Sequence, residues 1–151
     1  MKVKSWGKLI GSIVLCEGAG IVGSIFTVNS IQNWYVFLNK PSFSPPNYLF
    51  GPAWTLLYLL MGISLYLVRK NKFAVKLFLV HLFVNAIWSI IFFGMRNIGL
   101  ALVDILIMWF MIIVVMIMFY TVKKQASYLL LPYLMWVTFA TVLNYAVWVL
   151  N

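Results

Sequence analysis

Three groups of residues in this sequence share helical faces and could hold a ligand between them. His81, Asn85, Trp88 and Phe92 stand at offsets of 0, 4, 7 and 11, which places them on one side of a helix. Tyr133, Trp136, Ala140, Leu143 and Asn144 do the same at 0, 3, 7, 10 and 11. Gly51, Trp54, Tyr58 and Met61 repeat the pattern at 0, 3, 7 and 10. Each face mixes aromatic and small or amide side chains, so the three together could line an apolar cavity with a few polar handles. Asn85 and His81 would be hydrogen-bond handles, and the small Ala140 leaves a hollow beside the Trp136 indole. The plainer reading of each face is packing, with the amides and the imidazole holding helices together.

Other chemistry is poorly supported. H-E-x-x-H, G-x-S-x-G, a Gly-rich phosphate loop and C-x-x-C are all missing from the sequence. One histidine and one cysteine, Cys16, leave no metal-ligand set and no intrachain disulfide. The two acids, Glu17 and Asp104, lie inside apolar runs, where each costs about 2.5–3.5 kcal/mol at a helix centre unless partnered. Arg96, across a short turn, is the expected ion-pair partner of Asp104. Glu17 has no evident partner; pairing with His81 or protonation are the open alternatives.

The elements that must position these faces are membrane spans. The 151-residue chain is 65% hydrophobic and 9% charged, far from the quarter charged of an ordinary soluble domain. Five apolar runs, about 8–28, 47–68, 75–94, 98–120 and 127–150, each reach the roughly 20 residues needed to cross a bilayer. Short loops force antiparallel neighbours, so we expect one all-α transmembrane domain over 1–151, an up-down bundle of five helices. Net charge is +9. The positives collect in short loops, a pattern of topology determinants rather than of nucleic-acid binding. Lys2, Lys4, Lys8, Arg69, Lys70, Lys72, Lys76, Lys123 and Lys124 fall on one side, Lys40 and Arg96 on the other. The N-terminus should then be cytoplasmic, with the first loop and the C-terminus opposite. Glu17 interrupting the first run, and the lack of a clean small-residue cleavage site, argue for a retained helix rather than a signal peptide. Gly7 and Gly11, Ala19 and Gly23, and Gly20 and Ser24 are each spaced by four, a pattern for close helix packing inside the bundle or between copies.

Between the first two runs, about 29–46, lies a segment with Pro41, Pro45 and Pro46, and Pro52 follows shortly after. Proline removes backbone donors and disfavours helix at the residue before it, so this loop breaks the regular helices and should act as a lid over the faces below.

These residues resemble a known family. Trp34-Tyr35, Leu38-x-Lys40-Pro41-Ser42-Phe43-x-Pro45-Pro46 and Phe50-Gly51-Pro52-Ala53-Trp54-x-x-Leu57-Tyr58-x-x-Met61-Gly62 are similar to the tryptophan-rich sensory protein and translocator protein family, the latter also called the peripheral benzodiazepine receptor. Asn85-x-x-Trp88-Ser89-x-x-Phe92-Phe93-Gly94, Ala101-Leu102-Val103-Asp104 and Leu131-Pro132-Tyr133-Leu134-x-Trp136-Val137-x-Phe139-Ala140-x-x-Leu143-Asn144 extend the resemblance through all five runs. It implies a membrane receptor or carrier, commonly a homodimer, that binds porphyrins such as protoporphyrin IX or haem and needs no obligatory cofactor. The implied pocket residues are Tyr35, Pro45, Trp54, Tyr58, Asn85, Trp88, Trp136, Ala140 and Leu143, with His81 at a polar position. Lys40 or Arg96 would meet the propionates. The resemblance also implies two alternatives: light-dependent porphyrin oxidation involving Trp54 and Trp136, and sterol or lipid binding. Two departures stand out. Phe43 occupies a place where many relatives have Trp, and no Lys or Arg follows Leu143 and Tyr145 to complete the sterol-recognition pattern.

Overall fold

The computed structural model describes residues 5–151, and within them all but the side chain of Asn29. Lys2 and Lys4 lie outside the described residues. The helices are α1 Trp6–Asn33, α2 Phe50–Val68, α3 Lys72–Ser89, α4 Ile98–Val122, α5 Lys124–Tyr128 and α6 Leu131–Leu150. Five segments among the described residues are long and apolar enough to cross a membrane, the short α5 and α6 together forming the last. The chain is a multi-pass integral membrane protein, and large apolar side chains such as Ile25, Phe83, Phe110 and Ile117 cover its outer surface.

Local chemistry explains the boundaries. Asn71 and Asn97 cap α3 and α4, their side chains accepting from the backbone N–H groups of Ala74 and Leu100 at 2.9 Å each. Pro52 and Pro132 sit in the first turns of α2 and α6, where a missing N–H leaves no bond unmade. Pro132 also cannot donate to the carbonyl of Tyr128, so the last span, expected as one helix from about 127, is interrupted and α6 starts at Leu131. The first helix runs to Asn33, five residues beyond the expected end, because no proline or glycine opposes it there. Ser30 on that extension donates to the Phe93 carbonyl at 2.7 Å. The lid therefore begins at Trp34, not near 29. Past α3 the chain widens into a π-helical turn, Ile90–Gly94, and Arg96 turns the corner with φ 55°.

Around the bundle the order is α2, α1, α3, α4, α6, with α2 closing the ring against α5 and α6. Away from the lid the interior is solid: Met61, Val68, Ala74, Phe78, Phe119, Ala126 and Leu130 are all nearly or wholly buried. Ser64 donates to the Ala126 carbonyl at 2.7 Å and ties α2 to α5 there. Two glycines allow close approach. A Cβ on Gly20 would collide with the Tyr58 ring, and one on Gly62 would lie 2.6 Å from the Ile13 Cα. The Gly20 and Gly23 pairs of the spacing pattern thus serve packing within the bundle, while a Cβ on Gly7 or Gly11 would meet no other described element within 4 Å.

Candidate ligand cavity

The lid half of the bundle is hollow. A cavity of about 340 Å³ opens between α1, α2, α3 and α6, at the lower end of the range for ligand pockets. Trp54 and Tyr58 enter from α2, Asn85 and Trp88 from α3, and Trp136, Ala140 and Leu143 from α6. Tyr35 and Asn47 contribute from either end of the lid segment. Three indoles thus face one space. Trp54 leans over Tyr58 with ring centroids 5.5 Å apart, and Trp88 stacks on Phe92 at 5.1 Å.

Behind the Tyr58 edge runs a buried polar chain. The Tyr58 hydroxyl donates to Asn85 Oδ1 at 2.6 Å, and Asn85 Nδ2 donates to the Tyr133 hydroxyl at 2.8 Å. His81 Nε2 lies 3.0 Å from that same hydroxyl. On the other side, Trp88 Nε1 donates to Asn144 Oδ1 at 3.2 Å, and Asn144 Nδ2 donates to the Ile98 carbonyl at 3.0 Å, joining three helices. Trp136 Nε1 is buried with no partner.

Eight of the ten expected pocket residues line this space. The other two do not. Pro45 stands in the lid without reaching the cavity, and His81 sits one turn deeper than Asn85, against Tyr133. His81 is wholly buried and not paired with Glu17. The expected Arg96–Asp104 pair is also not formed. Asp104 Oδ2 is buried without a hydrogen-bond partner, while Arg96 is exposed in the turn before α4. Asp104 lies six residues beyond the start of α4, about 9 Å along its axis, so closeness in sequence does not bring the pair together. Lys40 is not free for a propionate either. Its ammonium donates to the carbonyls of Tyr35, Val36 and Leu38 at 2.9, 3.1 and 3.0 Å.

That clamp closes the lid on itself, and the C-terminus holds it down. Asn39 N–H donates to Asn151 Oδ1 at 3.0 Å, Asn151 Nδ2 to the Asn39 carbonyl at 2.9 Å, and Asn39 Nδ2 to the Leu150 carbonyl at 3.2 Å. Phe43, despite replacing an expected Trp, still meets Phe139 of α6 edge-on at 6.4 Å. Burial pushes the Tyr35 hydroxyl above the usual phenol range, a hydrogen bond with Ser44 drawing it part of the way back.

The α1 wall escaped the sequence reading. Glu17, Gly20, Ser24 and Thr27 line the cavity, yet α1 carries no aromatic face to announce them. The signal that could have found them is Glu17 itself, an acid in mid-span without a partner.

A family model described as "TspO/MBR family" matches residues 12–149. A tryptophan-rich protein TspO of Archaeoglobus fulgidus is 48% identical over 149 residues, covering 95% of this chain and 97% of that one. The translocator protein of Homo sapiens is 42% identical, with 95% and 89% covered, and the tryptophan-rich sensory protein of Cereibacter sphaeroides is 32% identical, with 97% and 92% covered.

Proposed function

From the premise that this chain belongs to the TspO/MBR family, which supports a membrane receptor role, we propose that it binds a flat, hydrophobic tetrapyrrole in the cavity beneath the lid. Protoporphyrin IX and haem are the candidates, and sensing or transport of the bound molecule would follow. One observation carries the reading: Trp54, Trp88 and Trp136 converge on a single hollow rather than turning out to lipid. Their faces supply apolar area and stacking for a planar ring system. At about 340 Å³ the hollow encloses the core of such a ligand, and its periphery would reach toward the lid mouth. Binding fits better than acid–base turnover, since Tyr58, Asn85 and Asn144 already spend their hydrogen bonds on one another and on the bundle. A homodimer belongs to the same proposal, with the open α1 face around Gly7 and Gly11 available for it.

The test is quenching of tryptophan fluorescence by protoporphyrin IX in a neutral detergent. Ala140 lies in the cavity wall, so Ala140→Phe fills the space the ligand needs and should weaken binding about tenfold or more, by analogy with overpacking costs of 1–3 kcal/mol. Trp136→Phe keeps an aromatic ring in the wall while removing the indole N–H and part of its stacking area, and should weaken it less. Wild-type affinity in both variants would remove the cavity from the binding site.

A further inference from the structure

Glu17 lies near the middle of α1, in the wall of the cavity. No hydrogen bond or ion pair reaches it, although an unpartnered acid inside a membrane is costly and calls for a partner. The neighbouring lining adds acceptors, not donors. Ser24, Thr27 and Thr55 each donate their hydroxyl proton to their own helix, to the carbonyls of Ile21, Gly23 and Gly51 at 2.7, 3.0 and 3.0 Å. What they present to the cavity is oxygen lone pairs. Among the described residues no Lys, Arg or His lines the space, and Lys40, the nearest basic residue of the lid, is held by its three carbonyls. Trp136 Nε1, without a hydrogen bond, lies on α6, Asn47 lies in the lid, and Ser89 on α3 meets α1 at Gly23, away from α2. The cavity is therefore electrostatically lopsided, acceptor-rich where α1 meets α2.

We propose that Glu17 is a ligand-contacting residue that selects planar aromatic ligands bearing a cationic or N–H-donating edge, and turns carboxylate edges away from the α1–α2 flank. This rests on the binding role of the cavity. It goes further by assigning a charge preference opposite to that of the whole chain, whose net charge of +9 would by itself draw anions. An anionic edge enters such a cavity pointing at the lid mouth.

Three porphyrins of one ring system provide the test by fluorescence quenching in neutral detergent: protoporphyrin IX, its dimethyl ester and its bis(2-aminoethyl)amide. Wild type should bind the diamine about tenfold tighter than the dicarboxylate, as a charge-assisted hydrogen bond would provide, with the ester between them. Glu17→Gln is nearly isosteric and should bring the three within about twofold, the charge-assisted bond being gone. Glu17→Asp keeps the charge and should keep the order, which guards against a general effect of altering α1. Equal affinities in wild type, or an order unchanged in Glu17→Gln, would overturn the inference while ester binding leaves the cavity reading intact. Failure of all three porphyrins to quench wild type would overturn the cavity reading and this inference together.

Discussion

Tyr133 is wholly buried, and its hydroxyl is the meeting point of three helices. It accepts from Asn85 Nδ2, lies against His81 Nε2 and donates to Met108 Sδ at 3.4 Å. Phenylalanine there would keep the ring and leave His81 Nε2 without a partner and Asn85 Nδ2 with the Met108 sulfur alone, 3.3 Å away. Hydrogen bonds between membrane helices contribute on average about 0.6 kcal/mol each, with a maximum near 1.7. Tyr133→Phe should therefore destabilise the protein by about 1–2 kcal/mol, read as a lower melting temperature in detergent. An unchanged melting temperature would mean that the bonds of the Tyr133 hydroxyl contribute nothing to the fold. The same geometry explains why His81 does not line the cavity. It shares a helical face with Asn85, but its position one turn deeper puts it behind Tyr133 and out of the cavity.

At the scale of elements, the lid is a pinned turn rather than a loose flap. Its fastenings are the Lys40 clamp, the Ser44 N–H to Pro41 carbonyl bond at 3.0 Å and the Asn39–Asn151 exchange. Asn151→Ala removes both bonds made by that amide to Asn39, each about 0.5–1.5 kcal/mol, so lid amides near Asn39 should exchange with deuterium about tenfold faster while those of α4 stay protected. Equal exchange would show that the latch does not restrain the lid. The aromatic faces of α2, α3 and α6 were legible in the sequence because the 3.6-residue period places Trp54 with Tyr58, Asn85 with Trp88, and Trp136 with Ala140. What stayed hidden had no period to reveal it. The α1 wall is built from small residues that also read as packing positions, and the end of α1 lies in a polar run that resembles a loop until Ser30 finds the Phe93 carbonyl. Arg96 and Asp104 looked paired because a short turn separates them in sequence, but helical rise, not residue count, sets their separation. Pro45 entered through its motif alone, and a motif fixes a residue's place in the lid without fixing which way it faces.

For the molecule as a whole, charge separates the two ends. The bond from the Ser5 N–H to the Tyr66 hydroxyl at 3.2 Å, together with Ser64 on Ala126, gathers the start of α1, the end of α2 and α5 at one end. Lys8, Arg69, Lys70, Lys72, Lys76, Lys123 and Lys124 belong to that end, and the lid end has Lys40 and Arg96. Seven positives against two among the described residues is a strong bias on short loops, and the orientation it leads us to propose has the crowded end in the cytoplasm and the lid on the opposite side. Cys16 is wholly buried, so a cysteine added at an exposed site would react with a membrane-impermeant maleimide over little background. Ser42 in the lid and Lys70 between α2 and α3 are both exposed. In intact cells or right-side-out vesicles, Ser42→Cys should label at once and Lys70→Cys only after permeabilisation. The reverse order would invert the protein in its membrane and put the cavity mouth on the cytoplasmic side. A ligand would then enter from the cell interior, and the proposed receptor would sample the pool made inside the cell instead of the one beyond the membrane.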